Sequence, residues 1–230
     1  MRVRQYSISS SPLWNSRHVS LTFSVFERPS LSIYDSPPPL LGVGSNYLAN
    51  LLPGDRVLMA VRHCKSNPST YAFRLPEDAS TPVVMFCAGS GIAPMRGFIQ
   101  ERAAQRASGC EVGKMILFFG CRAPELDFLY AETDIREWVR LGLLDVRSAF
   151  SRKPQESEGC VYVQHRVWHD RADVVAAYKN GASFFTCGSS AVAKGVKATL
   201  LEIIKEAENC DDTEAATRLK TIKYATEIFE

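Results

Sequence analysis

The run Val83-Val84-Met85-Phe86-Cys87-Ala88 passes directly into Gly89-Ser90-Gly91-Ile92-Ala93-Pro94. An unbroken apolar run of this length suits a strand buried on both faces, and such strands belong to parallel sheets covered by helices on either side. Further runs at Met115 to Phe119, Leu143 to Ala149 and Ala182 to Thr186 have the same character, and each precedes or follows a segment that suits a helix. Together with Pro82 to Ala88 they predict strands alternating with helices, the pattern of a doubly wound parallel sheet. A long helix from Ser189 to Glu208 would place Val192, Val196, Leu200, Ile203 and Ala207 on one face as core residues. Lys153 to Gly159 and Asn209 to Thr213 are expected to be surface loops.

Upstream the periodicity changes. In Val19-Ser20-Leu21-Thr22-Phe23-Ser24-Val25-Phe26 alternate residues share a face, which predicts a half-buried antiparallel strand. Pro37-Pro38-Pro39 forbids regular structure, Pro53-Gly54-Asp55 marks a turn before a second strand near Arg56 to Val61, and a short helix is expected from Ser45 to Leu51. The chain of 230 residues, 46% hydrophobic and 23% charged, has material for one large domain or two small ones. The change of pattern divides it into residues 1–80 and residues 81–230.

Charge and cysteine usage narrow the function. A formal charge of +2 suggests no surface for nucleic acid. The 7 cysteines form no C-x-x-C pair, so no metal site is expected. Their odd count, and the places of several inside apolar runs, fit free thiols in a reducing cytoplasm. No run approaches the ~20 apolar residues of a membrane span, and the N-terminus has no apolar stretch of the kind a signal peptide needs.

The chemistry-bearing segments lie where elements meet. Gly89, Ser90 and Gly91 sit where a buried strand ends and a helix begins; glycines there allow close approach of a diphosphate, and the helix opening attracts anions. The same spacing also occurs in simple tight turns, and its place after the first parallel strand favours the nucleotide. Arg4-Gln5-Tyr6-Ser7 ends an early segment, and Gly42-Val43-Gly44-Ser45-Asn46-Tyr47 opens the short helix. An arginine can meet a phosphate bidentately and an aromatic ring can lie against a flavin. A surface arginine, a core tyrosine and an ordinary serine cap would fit these residues equally well. By itself Cys187 reads as a buried thiol at a strand end.

Several separated motifs, in order, resemble the C-terminal part of NADPH-dependent diflavin reductases, the family of cytochrome P-450 reductase, and in particular the reductase part of self-sufficient fungal haem monooxygenases. Arg4 to Ser7 is similar to the family's R-x-Y-S, and Gly42 to Leu48 to its FAD diphosphate loop. Gly89-Ser90-Gly91-Ile92-Ala93-Pro94-Met95-Arg96-Gly97-Phe98 resembles G-T-G-x-A-P-x-R-G-F. Phe119-Gly120-Cys121-Arg122 with Asp127 and Tyr130, Phe150-Ser151-Arg152, Tyr162-Val163-Gln164, Thr186-Cys187-Gly188 and Lys223 to Phe229 complete the set.

The resemblance implies an incomplete antiparallel FAD-binding β-barrel of ferredoxin-reductase type, followed by an NADP-binding α/β domain, with hydride passing from NADPH to FAD. Arg4, Tyr6, Ser7, Gly42, Val43, Gly44 and Ser45 would hold FAD, and Gly89, Ser90 and Gly91 the NADPH diphosphate. Arg122 would contact the dinucleotide, Ser151 and Arg152 the 2′-phosphate, with Tyr162 and Gln164 also cofactor-binding, and Phe229 would stack on the flavin. Ser7, Cys187 and Glu227 would surround the hydride-transfer centre. FMN and a haem protein would be the onward acceptors.

Some positions depart from the pattern. Glu227 and Ser189 stand where the family has aspartates, and Cys160 and Val161 occupy the place of a lysine. The match begins partway through the barrel, with no counterpart here of its first strands, the helical connecting region or the FMN domain. Weak FAD binding by the chain alone is therefore expected, and a fragment that only binds NADP(H), or a relative with another acceptor, remains an alternative.

Overall fold

A computed structural model describes residues 3–29, 38–62 and 71–229. Pro37 and Cys64 lie outside them. Among the described residues the N-terminal part has little regular structure: β1 (Glu27–Arg28) pairs antiparallel with β2 (Leu40–Leu41), followed by α1 (Val43–Ala49), and Ile8 forms an isolated antiparallel bridge to Leu21. The strands expected at 19–26 and 56–61 do not form. Alternation makes a segment able to pair, but a strand exists only where a neighbour supplies a ladder of N–H and C=O groups. Leu58, Met59 and Val61 stay exposed.

From Thr81 onward the expected architecture is present. The elements are β3 (Val83–Ala88), α2 (Ile92–Ala107), β4 (Met115–Cys121), α3 (Pro124–Asp127), a π-helical turn (Ala131–Ile135), α4 (Arg136–Arg140), β5 (Leu144–Phe150), α5 (Val163–His169), α6 (Arg171–Lys179), β6 (Ser183–Gly188), α7 (Ser190–Glu208), α8 (Asp212–Thr221) and β7 (Tyr224–Ile228). All neighbouring strands are parallel, in the order β5-β4-β3-β6-β7.

The alternation of side chains along each strand divides the core. On one face Val83, Met85, Leu117, Phe119 and Phe185 meet Ile92, Met95 and Ile99 of α2 and Trp138 of α4. On the other, Val84, Phe86, Phe118 and Phe184 meet Val163 and Val167 of α5 together with Val196, Leu200 and Ile203 of α7. Phe86 stacks between Phe118 at 5.4 Å and Phe184 at 6.3 Å; each such pair contributes ~0.5–1.5 kcal/mol beyond its buried area. β5 is an edge strand, so its middle is only half-buried rather than enclosed on both faces. In α7 the apolar stripe also takes in Ala193 and Ile204, while Val192 and Ala207 are only partly buried.

After Thr81 two elements were not foreseen. The loop expected at 209–213 is cut short by α8, whose capping box has Glu214 N–H donating to Asp211 Oδ1 at 2.9 Å and Asp211 N–H donating back to Glu214 Oε2 at 3.4 Å. The D-x-x-E spacing was its signal. Lys223 to Phe229, read only as a motif, supplies β7.

Candidate functional site

The strand order reverses at β3, whose neighbours β4 and β6 lead off to opposite sides of the sheet. Ligands of open α/β sheets bind outside the carboxyl ends of the strands at this reversal. The carboxyl end of β3 carries Gly89-Ser90-Gly91 as one 3₁₀ turn before α2, and that of β6 carries Cys187 and Gly188.

The two glycines of the turn do different work. Gly89 has φ +54°, and a Cβ there would meet no heavy atom within 4 Å, so it faces open space in a backbone region that favours glycine. At Gly91 a Cβ would strike the Cys187 carbonyl, with its carbon at 2.9 Å. Gly91 thus lets the turn close against β6.

Register sets the next group. Cys187 of β6 pairs with Glu227 of β7, so their side chains share a face, and Ser7 Oγ donates to Glu227 Oε2 at 3.1 Å. The three residues expected around hydride transfer are therefore together, although 220 residues separate the ends of that hydrogen bond. Cys187 is fully buried; burial pushes its thiol well above the ordinary range, and the Glu227 carboxylate adds to this. Phe229 follows, its N–H donating to the Gly188 carbonyl at 3.2 Å and the residue 40% exposed. Ser189, where an aspartate was expected, caps α7 by accepting from the Val192 N–H at 3.4 Å. A serine meets that structural need as well as an aspartate.

At the ends of β4 and β5 the ladder continues beyond the strands. Ser151 N–H donates to the Cys121 carbonyl at 2.9 Å and Arg152 N–H to the Arg122 carbonyl at 2.8 Å, which brings Arg122, Ser151 and Arg152 together. Arg122 Nε also donates to Asp127 Oδ2 at 2.9 Å. Lys153 is engaged with Glu125 at 2.9 Å and Glu156 at 3.3 Å. Tyr162 is the exposed N-cap residue of α5, while Gln164 lies with its side chain against Gly195 of α7. Cys160, in place of the lysine, is buried, and burial raises its thiol.

A separate cluster forms in the N-terminal part. A Cβ on Gly44 would meet Tyr6 Oη at 2.8 Å and Arg4 Cγ at 3.1 Å, so α1 rests on these two side chains. Gly42 N–H donates to the Phe26 carbonyl at 2.9 Å. Ser45 is buried and its Oγ accepts from the Phe26 N–H at 3.0 Å, which makes it a tether between α1 and the residue before β1. Val43 is exposed at the start of α1. No group of His, Cys, Asp and Glu among the described residues could hold a metal, and no helix among them is long and apolar enough to cross a membrane.

A parallel sheet that reverses at a glycine turn defines a nucleotide-binding class, and residues 85–198 match the family described as oxidoreductase NAD-binding domain. Over its whole length the chain is 55% identical to the self-sufficient cytochrome P450 monooxygenase CYP505E3 of Phanerodontia chrysosporium, covering 21% of that protein. It is likewise 45% identical to the bifunctional cytochrome P450/NADPH–P450 reductase of Fusarium oxysporum, covering 22% of it, and 44% identical to the self-sufficient monooxygenase CYP505AG1 of Oidiodendron maius, covering 21%. The chain therefore belongs to the NADPH-dependent cytochrome P450 reductase family, matching the reductase portion of these fusions. It spans about a fifth of the length of the curated relatives.

Proposed function

We propose that this chain is the nicotinamide end of a flavoprotein reductase: it binds NADPH at the sheet reversal and presents it to FAD, from which electrons pass to FMN and a haem monooxygenase in the complete protein. The observation that carries this reading is the convergence of Ser7, Cys187 and Glu227 at the same strand ends as the Gly89 turn. Gly89, with open space before it, and the unpaired N–H groups that begin a helix suit a diphosphate.

Gly89, Ser90 and Gly91 form the diphosphate turn, and Arg122, Ser151 and Arg152 hold the 2′-phosphate end, with Tyr162 and Gln164 beside it. Arg4, Tyr6 and the loop Gly42, Val43, Gly44 and Ser45 form the FAD side, and the half-exposed ring of Phe229 covers the flavin position. The nicotinamide supplies the hydride when bound. Cys187, kept neutral by burial, offers a shaped and uncharged wall to the ring. Glu227 accepts the Ser7 proton in a hydrogen bond and so keeps its negative charge directed at the position where positive charge develops as hydride leaves. The free thiols favour a reducing compartment, the cytoplasm.

The cofactor preference tests the site. Arg152→Ala removes a charge-assisted contact typically worth ~1.5–3 kcal/mol, so NADP⁺ affinity should fall about ten- to a hundredfold while NAD⁺ affinity stays constant. Titrations of both nucleotides decide it; equal affinities of the parent chain for NADP⁺ and NAD⁺ would remove Arg152 from the site. With Cys160 in place of the lysine, the NADPH preference should be smaller than in relatives that keep it.

A second reading, binding of NADP(H) without turnover by the chain alone, is favoured by the exposure of Leu40, Leu41, Val43 and Tyr47 around the FAD side. It predicts weak FAD binding in a fluorescence titration. Tight stoichiometric binding would set this second reading aside.

A further inference from the structure

Arg96 stands in the glycine-turn motif, and only 12% of its side chain is exposed. Its guanidinium is held from three directions. Nε donates to Asp134 Oδ2 at 2.6 Å, Nη1 donates to the Ser9 carbonyl at 2.6 Å, and the group lies over the Tyr130 ring at 4.6 Å. The ring is fixed in turn: Tyr130 has φ +63°, and its hydroxyl shares a 2.6 Å hydrogen bond with Thr22 Oγ1. Such a planar guanidinium, held at Nε and Nη1, sets orientation as well as charge, which a lysine cannot reproduce.

The N-terminal segment crosses α2 at this point. A Cβ on Gly97 would touch the carbonyls of Ile8 and Ser10 at 3.5 Å, and Ser11 N–H donates to Gln100 Oε1 at 2.8 Å. Ser9 N–H donates to the Ser20 carbonyl at 2.8 Å, so the returning segment is carried along. Ser7, whose hydroxyl reaches Glu227, is two residues upstream of the carbonyl that Arg96 grips.

We infer that Arg96, with Tyr130 and Asp134, is a positioning residue for hydride transfer: it fixes the segment that delivers the Ser7 hydroxyl to Glu227 beside Cys187. This rests on the hydride-transfer reading above. Arg96 touches neither nucleotide nor flavin in this scheme and acts only through Ser7.

The test combines exchange, binding and a double-variant cycle. In the chain itself, Arg96→Ala should speed hydrogen exchange at the Ser9 and Ser20 amides at least tenfold, with Arg96→Lys intermediate, and leave NADP⁺ affinity within twofold. In the FAD-loaded reductase at saturating NADPH, Ser7→Ala and Arg96→Ala should each slow flavin reduction at least tenfold, and the double variant should be no slower than Ser7→Ala. Arg96→Lys keeps the fold under test should the alanine variant not fold. Multiplying effects in the double variant, or unchanged exchange, would overturn the positioning role while leaving the reading of the site intact. Ser7→Ala at the parent rate would overturn that reading, and the role of Arg96 with it.

Discussion

Gly91→Ala is expected to lower the melting temperature of the chain by up to about 12 °C, whereas Gly89→Ala should cost less stability and yet abolish NADP⁺ binding. The difference follows from what each added methyl meets. At Gly91 it strikes the Cys187 carbonyl, which is backbone within the β6 ladder and cannot turn aside. Relief requires β3 and β6 to separate at the centre of the sheet. Overpacking of this kind costs ~1–3 kcal/mol and sometimes more, and at this size each kcal/mol is worth about 2–4 °C. At Gly89 the methyl meets nothing, so the cost is the left-handed backbone, about 1–2 kcal/mol. It would, however, occupy the space assigned to the diphosphate. Thermal melts and NADP⁺ titrations of both variants separate the roles; a Gly91→Ala variant with the parent melting temperature would contradict the close approach of the turn to β6.

The second large effect is kinetic. Cys187→Ala should slow flavin reduction by NADPH at least tenfold in the FAD-loaded reductase, about 1.4 kcal/mol of barrier, with NADP⁺ affinity within twofold of the parent. Glu227→Gln should act in the same direction but less, because the longer side chain of glutamate already differs from the family's aspartate. The thiol's burial beside Glu227 adds a pH signature. A thiol at its ordinary value of ~8.5 would ionise as pH rises through that region; one pushed well above it stays neutral, so the Cys187 contribution should be flat between about pH 6 and pH 9. Stopped-flow reduction across that range measures it, and a step near pH 8.5 that vanishes in Cys187→Ala would show an accessible thiol instead of a buried one.

What the sequence discloses and what it hides divide along physical lines. Unbroken runs such as Met85 to Cys87 disclose central strands because burial on both faces leaves no room for polar residues. The stripe of α7 is legible for the same reason. The adjacency of Cys187 and Glu227 is not, since the register between β6 and β7 depends on pairing across the sheet, and only the resemblance brought these residues together. The tie from the Ser45 hydroxyl to Phe26 is hidden likewise, because no local pattern announces that partner. The role of Arg96 is hidden in the same way, because its contacts come from Ser9, Tyr130 and Asp134, far away along the chain. The alternation of 19–26 was real, but it describes what a segment can pair with and not whether a partner lies beside it.

The passage from the N-terminal part into β3 has a mechanical consequence. Arg102 of α2 is buried, its Nη2 donating to the Pro76 carbonyl at 2.7 Å and the Asp78 carbonyl at 3.4 Å and its Nη1 to Gln105 Oε1 at 2.6 Å. Gly113 N–H grips the Ala79 carbonyl at 2.9 Å from the other side. The backbone around residue 80 is thus riveted to the helix it precedes, with no slack for a hinge. A protease should find no cut there in the native chain, and any swing between flavin side and nicotinamide side must be taken up before Pro76.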